Sequence, residues 1–378
     1  MSLRFIEGFE TYFDDVSQSG NYLSNAYDMT YNRGFSSISG YYGGYALRQL
    51  GAGDNLNFVK AKNCVAISGA VLTVALGARF RTNMQAMVNN YSRGIALNYE
   101  GYGIGLTIAS GILYGGVNST CNYYSTTYPK GLSYNTQLND EQWHYAELLI
   151  SRAIPNTSWF GKLKLDNLVV AQGALTGPTN ALLSLNGSVY LYNAGATDEY
   201  LDWDDIYVVD GLPTDNFGNP STISGFIPNA YRCRVMPIYP ISDVAGSGEW
   251  TPSAGEDHYS LVNEIPDDTD TYISATASGQ LDALNYSPIV PDANSIVTVY
   301  GVQLQPVAKL TMGTKGSLSP MVNGTKMNPT YLLPSGIPLP ITFQQFPCMA
   351  ENNPSTGIAW TLTGVSGMNA GLQLDYIE

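Results

Sequence analysis

The two histidines are the first residues to consider as catalysts, because imidazole titrates near neutral pH. His144 lies in a predicted strand, and His258 lies in a segment that leads from a turn into a strand. A Ser-His-Asp triad needs a histidine held between a nucleophile and a carboxylate, and the sequence has no G-x-S-x-G nucleophile motif. We therefore interpret both histidines as structural, and the sequence predicts no catalytic residue.

Paired carboxylates are the second candidate chemistry, because glycoside hydrolysis uses two of them about 5–10 Å apart across a sugar. Glu147 is the most interesting acid, since strand alternation places it on one face with Trp143 and Tyr145. A concave face would let these side chains contact sugar. The alternative is that Glu147 faces solvent or meets Lys162 or Lys164 across a sheet. We favour this alternative, because the sequence identifies no second acid to complete the reaction.

Tyrosines beside glycine and asparagine form a third set of candidates. Tyr41, Tyr42 and Tyr45 surround a pair of glycines, and Tyr123 and Tyr124 follow an asparagine. A tyrosine offers a large contact area with few rotatable bonds and a polar tip, which suits protein interfaces and sugar stacking. Ordinary strand propensity is the competing explanation. The sequence leaves both open, and it predicts these five tyrosines as contacts for carbohydrate or a protein partner.

The sequence offers few ligands for a soft metal ion. Its four cysteines, Cys64, Cys121, Cys233 and Cys348, are far apart and form no C-x-x-C pair, so metal clusters and redox motifs are unsupported. Free buried thiols in a reducing compartment are the plain interpretation. Calcium suits the oxygen-rich composition better, and the three aspartates within 267–270 could serve it, although aspartate-rich stretches are more often solvated turns.

Composition limits the class of protein further. The 378 residues carry 17 Lys+Arg and 31 Asp+Glu, a net charge of −14, and only 13% are charged, about half the usual share. Such an acidic chain repels phosphate backbones, so we expect no nucleic-acid partner. The first residues lack an apolar signal-peptide core, and the longest apolar stretch, 65–78, is too short for a membrane span of ~20 residues. We expect no membrane insertion.

The elements that must position these residues are mostly short strands between Gly, Asn, Pro and Ser turns. The strands predict an all-β chain of two β-sandwich domains. Turn chemistry after residue 210 places a linker at 213–228, between a first domain at 1–212 and a second at 229–378. Asp166-Asn167 is predicted as a turn or bulge. The segments 275–287 and 314–328 are predicted as mobile loops or surface segments.

Three segments of the first half resemble concanavalin A-like (laminin-G-like) jelly rolls. Residues 6–10 look like the first strand of that family, 142–147 its Trp-His central strand, and 201–210 its closing strand. The resemblance implies a jelly roll over about 1–212, with Trp143 buried over the sandwich core.

The same resemblance suggests where calcium would bind. Concanavalin A-like domains sometimes hold Ca²⁺ between the first and last strands. Here that site would draw on five acidic residues, namely Glu7, Glu10, Asp202, Asp204 and Asp205. No other cofactor is expected.

The second half resembles a different group of proteins. Residues 249–264, followed by 266–273, look like a segment common in structural proteins of tailed bacteriophages, and 351–361 is similar to another segment of them. This resemblance covers roughly 217–378 and implies a virion component.

Together these resemblances lead us to predict a non-enzymatic structural protein located in a tailed-phage virion. It would dock to itself, with a trimer as first guess by analogy with phage fibres, and to other virion proteins. A tail fibre, tip or adaptor is favoured, with capsid decoration or a head fibre next. The alternative is a carbohydrate-binding adhesin or depolymerase-like enzyme that acts on host-surface glycans.

Overall fold

A computed structural model describes residues 2–9, 27–30, 35–51, 57–61, 71–83, 93–99, 102–109, 111–118, 130–153, 158–177, 188–193, 199–211, 225–264, 270–291, 297–327 and 337–378. The chain divides into two compact units. The first contains Met1–Leu212 and Ile223–Val235, and the second contains Pro213–Thr222 and Met236–Glu378. Residues 223–235, which cross the expected boundary at 228/229, therefore group with the first unit.

Strands account for almost all of the first unit's described structure. They are β1 (Ser2–Glu7), β2 (Tyr27–Thr30), β3 (Phe35–Ser39), β4 (Tyr45–Leu50), β5 (Asn57–Ala61), β6 (Val71–Thr82), β7 (Arg93–Tyr99), β8 (Tyr102–Ala109), β9 (Ile112–Asn118), β10 (Lys130–Tyr134), β11 (His144–Ala153), β12 (Trp159–Leu165), β13 (Leu168–Leu175), β14 (Ser188–Asn193) and β15 (Tyr200–Asp210). One sheet has the order β13-β12-β11-β6-β15-β4-β3, with β1 also paired to β15. The other has the order β10-β9-β8-β7-β14-β5-β2.

The two sheets enclose one apolar core, because alternate residues of each strand point inward. The inward residues of the first sheet include Val74, Leu76, Ala146, Leu148 and Val208, and those of the second include Ile95, Leu97, Ile104, Leu106 and Leu191. This arrangement confirms the all-β prediction and makes the first unit a two-sheet jelly roll.

Trp143 is not the core tryptophan, so that expectation is wrong. It is half-buried just before β11, and its ring lies 4.8 Å from the Arg81 guanidinium. The reason is the phase of β11, which sends the other face of the strand into the core, namely Ala146, Leu148 and Ile150. The buried tryptophans of this core are Trp159 and Trp203.

The turn predicted at Asp166-Asn167 is confirmed. Leu165 pairs with Leu168, so β12 and β13 form a hairpin with a two-residue loop. Asp166 and Asn167 have φ angles of 48° and 70°, and Asp and Asn tolerate this left-handed region better than most residues.

Besides a 3₁₀ helix at Tyr259–Leu261, the described residues of the second unit form shorter strands and one short α-helix. They are β16 (Pro240–Asp243), β17 (Thr251–Pro252), β18 (Ile273–Ser274), β19 (Leu281–Tyr286), β20 (Val302–Leu304), β21 (Val307–Ala308), β22 (Gly316–Val322), β23 (Thr325–Lys326), β24 (Ile337–Pro338), β25 (Gln344–Gln345), β26 (Cys348–Ala350), α1 (Leu362–Ser366) and β27 (Asn369–Ile377). The main sheet has the order β16-β19-β27-β22-β23, with β24 paired to β22, and three two-stranded sheets accompany it.

The loops predicted at 275–287 and 314–328 are wrong, because they contain β19 and β22. All seven residues of β22 are buried. A strand covered on both faces loses the polar–apolar alternation by which strands are recognised, and its glycine, serines and proline look like turn chemistry. Within the described residues, no helix is both long and apolar enough to cross a membrane.

Candidate functional site

The outer face of the first unit's larger sheet carries a row of side chains that runs across four strands. Tyr207 of β15 pairs with Gly77 of β6, Gly77 with Glu147 of β11, and Glu147 with Lys164 of β12. A Cβ atom on Gly77 would lie 2.2 Å from the Tyr207 ring. The glycine thus lets Tyr207 cross β6, where its hydroxyl donates to Glu147 Oε1 at 2.7 Å.

Glu147 also meets Lys164, as the favoured alternative predicted. Lys164 Nζ lies 3.5 Å from Glu147 Oε2, too long for a strong hydrogen bond. The two groups therefore form an ion pair across the sheet.

A second row lies beside the first and centres on Arg79. The register of β15 shifts between Asp204 and Tyr207, and Asp205 at this bulge has a φ of 46°. Arg79 Nε lies 2.9 Å from Asp205 Oδ2, and both side chains are buried. The Tyr145 hydroxyl donates to the Asp205 carbonyl oxygen at 3.2 Å. The bulge thus places a carboxylate where β6 presents a guanidinium.

A segment of the chain's own backbone, residues 225–235, lies over these rows, and we call it the covering segment. Arg79 Nη2 donates to the carbonyl oxygens of Tyr231 and Cys233, at 2.9 and 3.5 Å. The backbone N–H of Val235 donates to Asp205 Oδ1 at 2.9 Å. The Arg79–Asp205 pair therefore holds the segment by its main chain.

The covering segment closes the polar face. Its Phe226 ring lies 4.3 Å from Lys164 Nζ. Beneath it Glu147 is 1% exposed and Tyr207 is 4% exposed. On this face Glu147 contacts Tyr207 and Lys164, while Arg79 and Asp205 bind each other and the chain's own backbone.

Burial governs the protonation of these groups. It raises the pKa of Glu147, against the lowering effects of the Tyr207 hydrogen bond and Lys164. It also raises the pKa values of Tyr145 and Tyr207 well above their ordinary range, and that of Cys233 to about 11. A carboxyl with a raised pKa beside a phenol is an acid–base pair in principle. In this structure both side chains of the pair are buried under the covering segment.

The proposed calcium ligands are engaged by protein groups. Glu7 lies in β1, which pairs with β15 as the resemblance implied, and Glu10 lies outside the described residues. The Glu7 carboxylate accepts from the Phe9 amide at 2.8 Å. Asp202 pairs with Arg48 and Arg81 at 2.8 and 2.9 Å, and Asp205 pairs with Arg79. Asp204 accepts from the backbone amides of Tyr41 and Asp205, at 3.0 and 2.8 Å. In the described part of the chain, no three His, Cys, Asp or Glu side chains gather as a metal site would need.

The candidate tyrosines separate into three groups. Tyr41 and Tyr42 are 47% and 40% exposed, with ring centroids 4.7 Å apart in a T-shaped arrangement. Tyr45 is half-buried in β4. Tyr123 and Tyr124 lie outside the described residues. Beneath the exposed pair, the Arg79 guanidinium lies 4.0 Å from the centroid of the Tyr41 ring.

One of the two histidines, His258, is buried in the second unit. Its Nδ1 contacts Asp282 Oδ2, and burial raises the pKa of Asp282 despite this bond. The carboxylate of Asp243 accepts from the backbone amides of His258 and Tyr259, at 3.0 and 2.7 Å. These contacts fix the turn before Tyr259–Leu261.

His144 allows a test by pH. Its Nδ1 lies 2.8 Å from Asp166 and its Nε2 3.2 Å from Asp140, and the Asp166 hydrogen bond is the main cause of its raised pKa. Stabilisation from a raised histidine pKa is complete below the unfolded value of about 6.5 and is lost as pH rises through the folded value.

We expect the melting temperature of His144→Gln to fall below that of the parent by roughly 1–3 °C at pH 6 and by less at pH 8. Thermal unfolding in matched buffers measures the difference. Parallel pH profiles for the two proteins would contradict the role assigned to the Asp140–His144–Asp166 contacts.

Comparisons with known proteins add context for the fold. No family model and no curated protein matches the chain. Among solved structures, the alginate lyase Aly36B aligns over 55% of this chain and 97% of its own, at 11% identity and a TM-score of 0.38. The PL-14 alginate lyase from Aplysia kurodai aligns over 55% of this chain and 99% of its own, at 10% identity and a TM-score of 0.38. The Emp46p carbohydrate recognition domain aligns over 55% of this chain and 100% of its own, at 14% identity and a TM-score of 0.32. The chain's own strand order defines its class, an all-β protein with an N-terminal jelly roll.

Proposed function

We propose that this chain is a non-enzymatic structural component of a tailed-bacteriophage virion, which assembles as an oligomer and docks to other virion proteins. The observation that carries the proposal is the closed outer face of the larger sheet. A glycan-processing enzyme needs its acid and base open to substrate, whereas Glu147 and Tyr207 are sealed by the covering segment. A sealed polar face suits a rigid building block.

Two features of the sequence support the same proposal. Residues 249–264 and 351–361 resemble segments of tailed-phage structural proteins. The low charge content of 13% leaves a surface of mainly uncharged polar groups, and hydrogen-bonded amides and hydroxyls cost far less to bury against a neighbour than unpaired ions do. A tail fibre, tip or adaptor remains the favoured location.

The test of this proposal is to look for the chain in intact particles. Gradient-purified virions of the encoding phage are expected to contain it at a fixed copy number by quantitative mass spectrometry, and gold-labelled antibody should mark one location. Absence of the chain from purified particles would overturn the proposal.

Carbohydrate binding is a second candidate function, because one observation favours it. Tyr41 and Tyr42 expose two aromatic rings in T-shaped contact, and tyrosine combines an apolar ring with a polar tip that suits contact with sugars. A glycan array probed with the full chain, alongside Tyr41→Ala and Tyr42→Ala variants, tests this candidate. Binding that disappears in both variants would favour an adhesin, while a blank array would remove the candidate.

A further inference from the structure

The charge of the chain is divided unevenly between its two units. The first unit contains 17 acidic and 14 basic residues, a net charge of −3, and the second contains 14 acidic and 3 basic residues, a net charge of −11. Two of the three lysines of the second unit are already paired with carboxylates, Lys315 with Glu378 and Lys326 with Asp375. The second unit is therefore strongly acidic, whereas the first is nearly neutral.

On the first unit, the end of the covering segment presents two arginines. Arg232 and Arg234 are exposed, while Tyr231 and Cys233, which alternate with them, are half-buried. Arg232 lies 5.2 Å from the Tyr231 ring, and Arg234 lies 5.9 Å from the Tyr42 ring. Within the described residues, neither arginine forms an ion pair with a carboxylate.

These arginines join the exposed tyrosines in one surface, which we call the arginine–tyrosine patch: Tyr41, Tyr42, Tyr231, Arg232 and Arg234. The Tyr42 hydroxyl donates to the Tyr231 carbonyl oxygen at 3.4 Å, so the two parts of the patch are in contact. Tyrosine and arginine are enriched at the centres of protein interfaces. Because Arg79 and Asp205 anchor the covering segment from below, the patch is ordered before any partner binds.

The acidic second unit offers the complementary chemistry. Glu256 and Asp257 are adjacent and exposed, in a turn that precedes the buried His258. A guanidinium binds a carboxylate more strongly and with better-defined geometry than an ammonium does. No lysine or arginine occurs between Arg234 and Lys309, so this turn has no cation nearby in the sequence.

We infer that the arginine–tyrosine patch docks on the acidic second unit of another copy of the chain, around Glu256 and Asp257. This inference rests on the proposed function, and it names the surface by which copies associate. The contact is heterologous, with different surfaces from the two copies, so it generates a ring if the rotation closes. Several copies held on one scaffold would strengthen one another's contacts through effective concentration.

Charge reversal in the full-length chain tests the inference. Sedimentation velocity is run at about 50 mM and about 500 mM salt, because ion pairs at an interface weaken as the Debye length falls. The parent is expected to form oligomers at low salt and to shift toward monomer at high salt. Arg232→Glu/Arg234→Glu and Glu256→Lys/Asp257→Lys are each expected to weaken self-association at least tenfold. A mixture of the two variants is expected to associate again, because the arginines of one variant meet the acids of the other as in the parent, and the two reversed surfaces are also complementary in charge.

Lys162→Glu is the matched control, because Lys162 is a basic residue of the same unit that lies on β12 and outside the patch. It should associate as the parent does, and circular dichroism should show that all variants are folded. The inference is overturned if the parent is monomeric at low salt, if salt has no effect, or if the mixture fails to associate. It is also overturned if Arg232 and Arg234 prove to be needed for binding an acidic glycan and not for self-association. Detection of the chain in virions despite any of these results would overturn this route of self-association and leave the proposed place of the chain in the virion standing.

Discussion

Replacing Trp203 with alanine should lower the free energy of unfolding of the first unit by about 3–5 kcal/mol, the usual cost of emptying a buried aromatic site. Trp203 is 2% exposed. Its strand neighbours are Leu47 and Phe80, and its indole N–H donates to Gln49 Oε1 at 3.4 Å. The loss therefore includes both packing and a buried polar contact. Urea denaturation followed by circular dichroism measures it.

Trp143→Ala is the matched control for that prediction. Trp143 is half-buried, and its described ring contact is the Arg81 guanidinium, an interaction of about 0.5–1 kcal/mol at an exposed site. We expect the free energy of unfolding to fall by about 1 kcal/mol or less. If Trp143→Ala were the costlier substitution, the inward face of β11 would be the one with Trp143, Tyr145 and Glu147, contrary to the structure.

Trp143 shows what strand alternation can predict and what it cannot. The alternation over 143–150 identified the strand and separated its two faces, and both results agree with β11. Both faces carry large apolar side chains, so the local sequence could not decide which one points inward. That choice depends on the opposite sheet, whose residues packed there are distant in sequence, such as Ile95, Leu106 and Leu113.

The covering segment could not have been predicted either, and the reason is a different one. Its anchors are the carbonyl oxygens of Tyr231 and Cys233 and the amide of Val235, and backbone groups have no signature in the sequence. On the sheet side, the available signal was the charge of Arg79 inside a mainly apolar strand. A buried guanidinium requires a carboxylate partner, but seventeen acids of the first unit could have supplied it.

The Arg79–Asp205 pair is expected to carry a second large effect. Asp205→Asn keeps the size of the side chain and the tolerance of a φ of 46°, but it leaves Arg79 buried without a counter-charge. Breaking a buried ion pair in this way costs about 3–5 kcal/mol. The free energy of unfolding should fall by that amount. The covering segment should loosen, because Arg79 loses its counter-charge and the Val235 amide loses a charged acceptor.

Two measurements separate loosening of the segment from general destabilisation. When Asp205→Asn is compared with the parent, hydrogen exchange followed by mass spectrometry should show a larger increase in exchange rate over 225–235 than over β11. The Cys233 thiol, whose pKa burial raises to about 11, should become more reactive toward a maleimide at pH 8, because exposure returns its pKa toward the ordinary value.

Arg81→Met is the matched control for Asp205→Asn. Arg81 pairs with Asp202, but its side chain is a quarter exposed, and Asp202 keeps Arg48 as a second partner. We therefore expect a cost of about 1 kcal/mol or less, the range of partly exposed ion pairs, with no change in exchange over 225–235. The double variant Arg79→Met/Asp205→Asn should recover part of the free energy lost in Asp205→Asn, since it leaves no buried charge unpaired and keeps a residue that tolerates a φ of 46°. It should still fail to protect 225–235, because it removes the guanidinium that binds two backbone carbonyls. Protection of the segment in that double variant would show that apolar contacts such as Phe226 hold it, and not the ion pair.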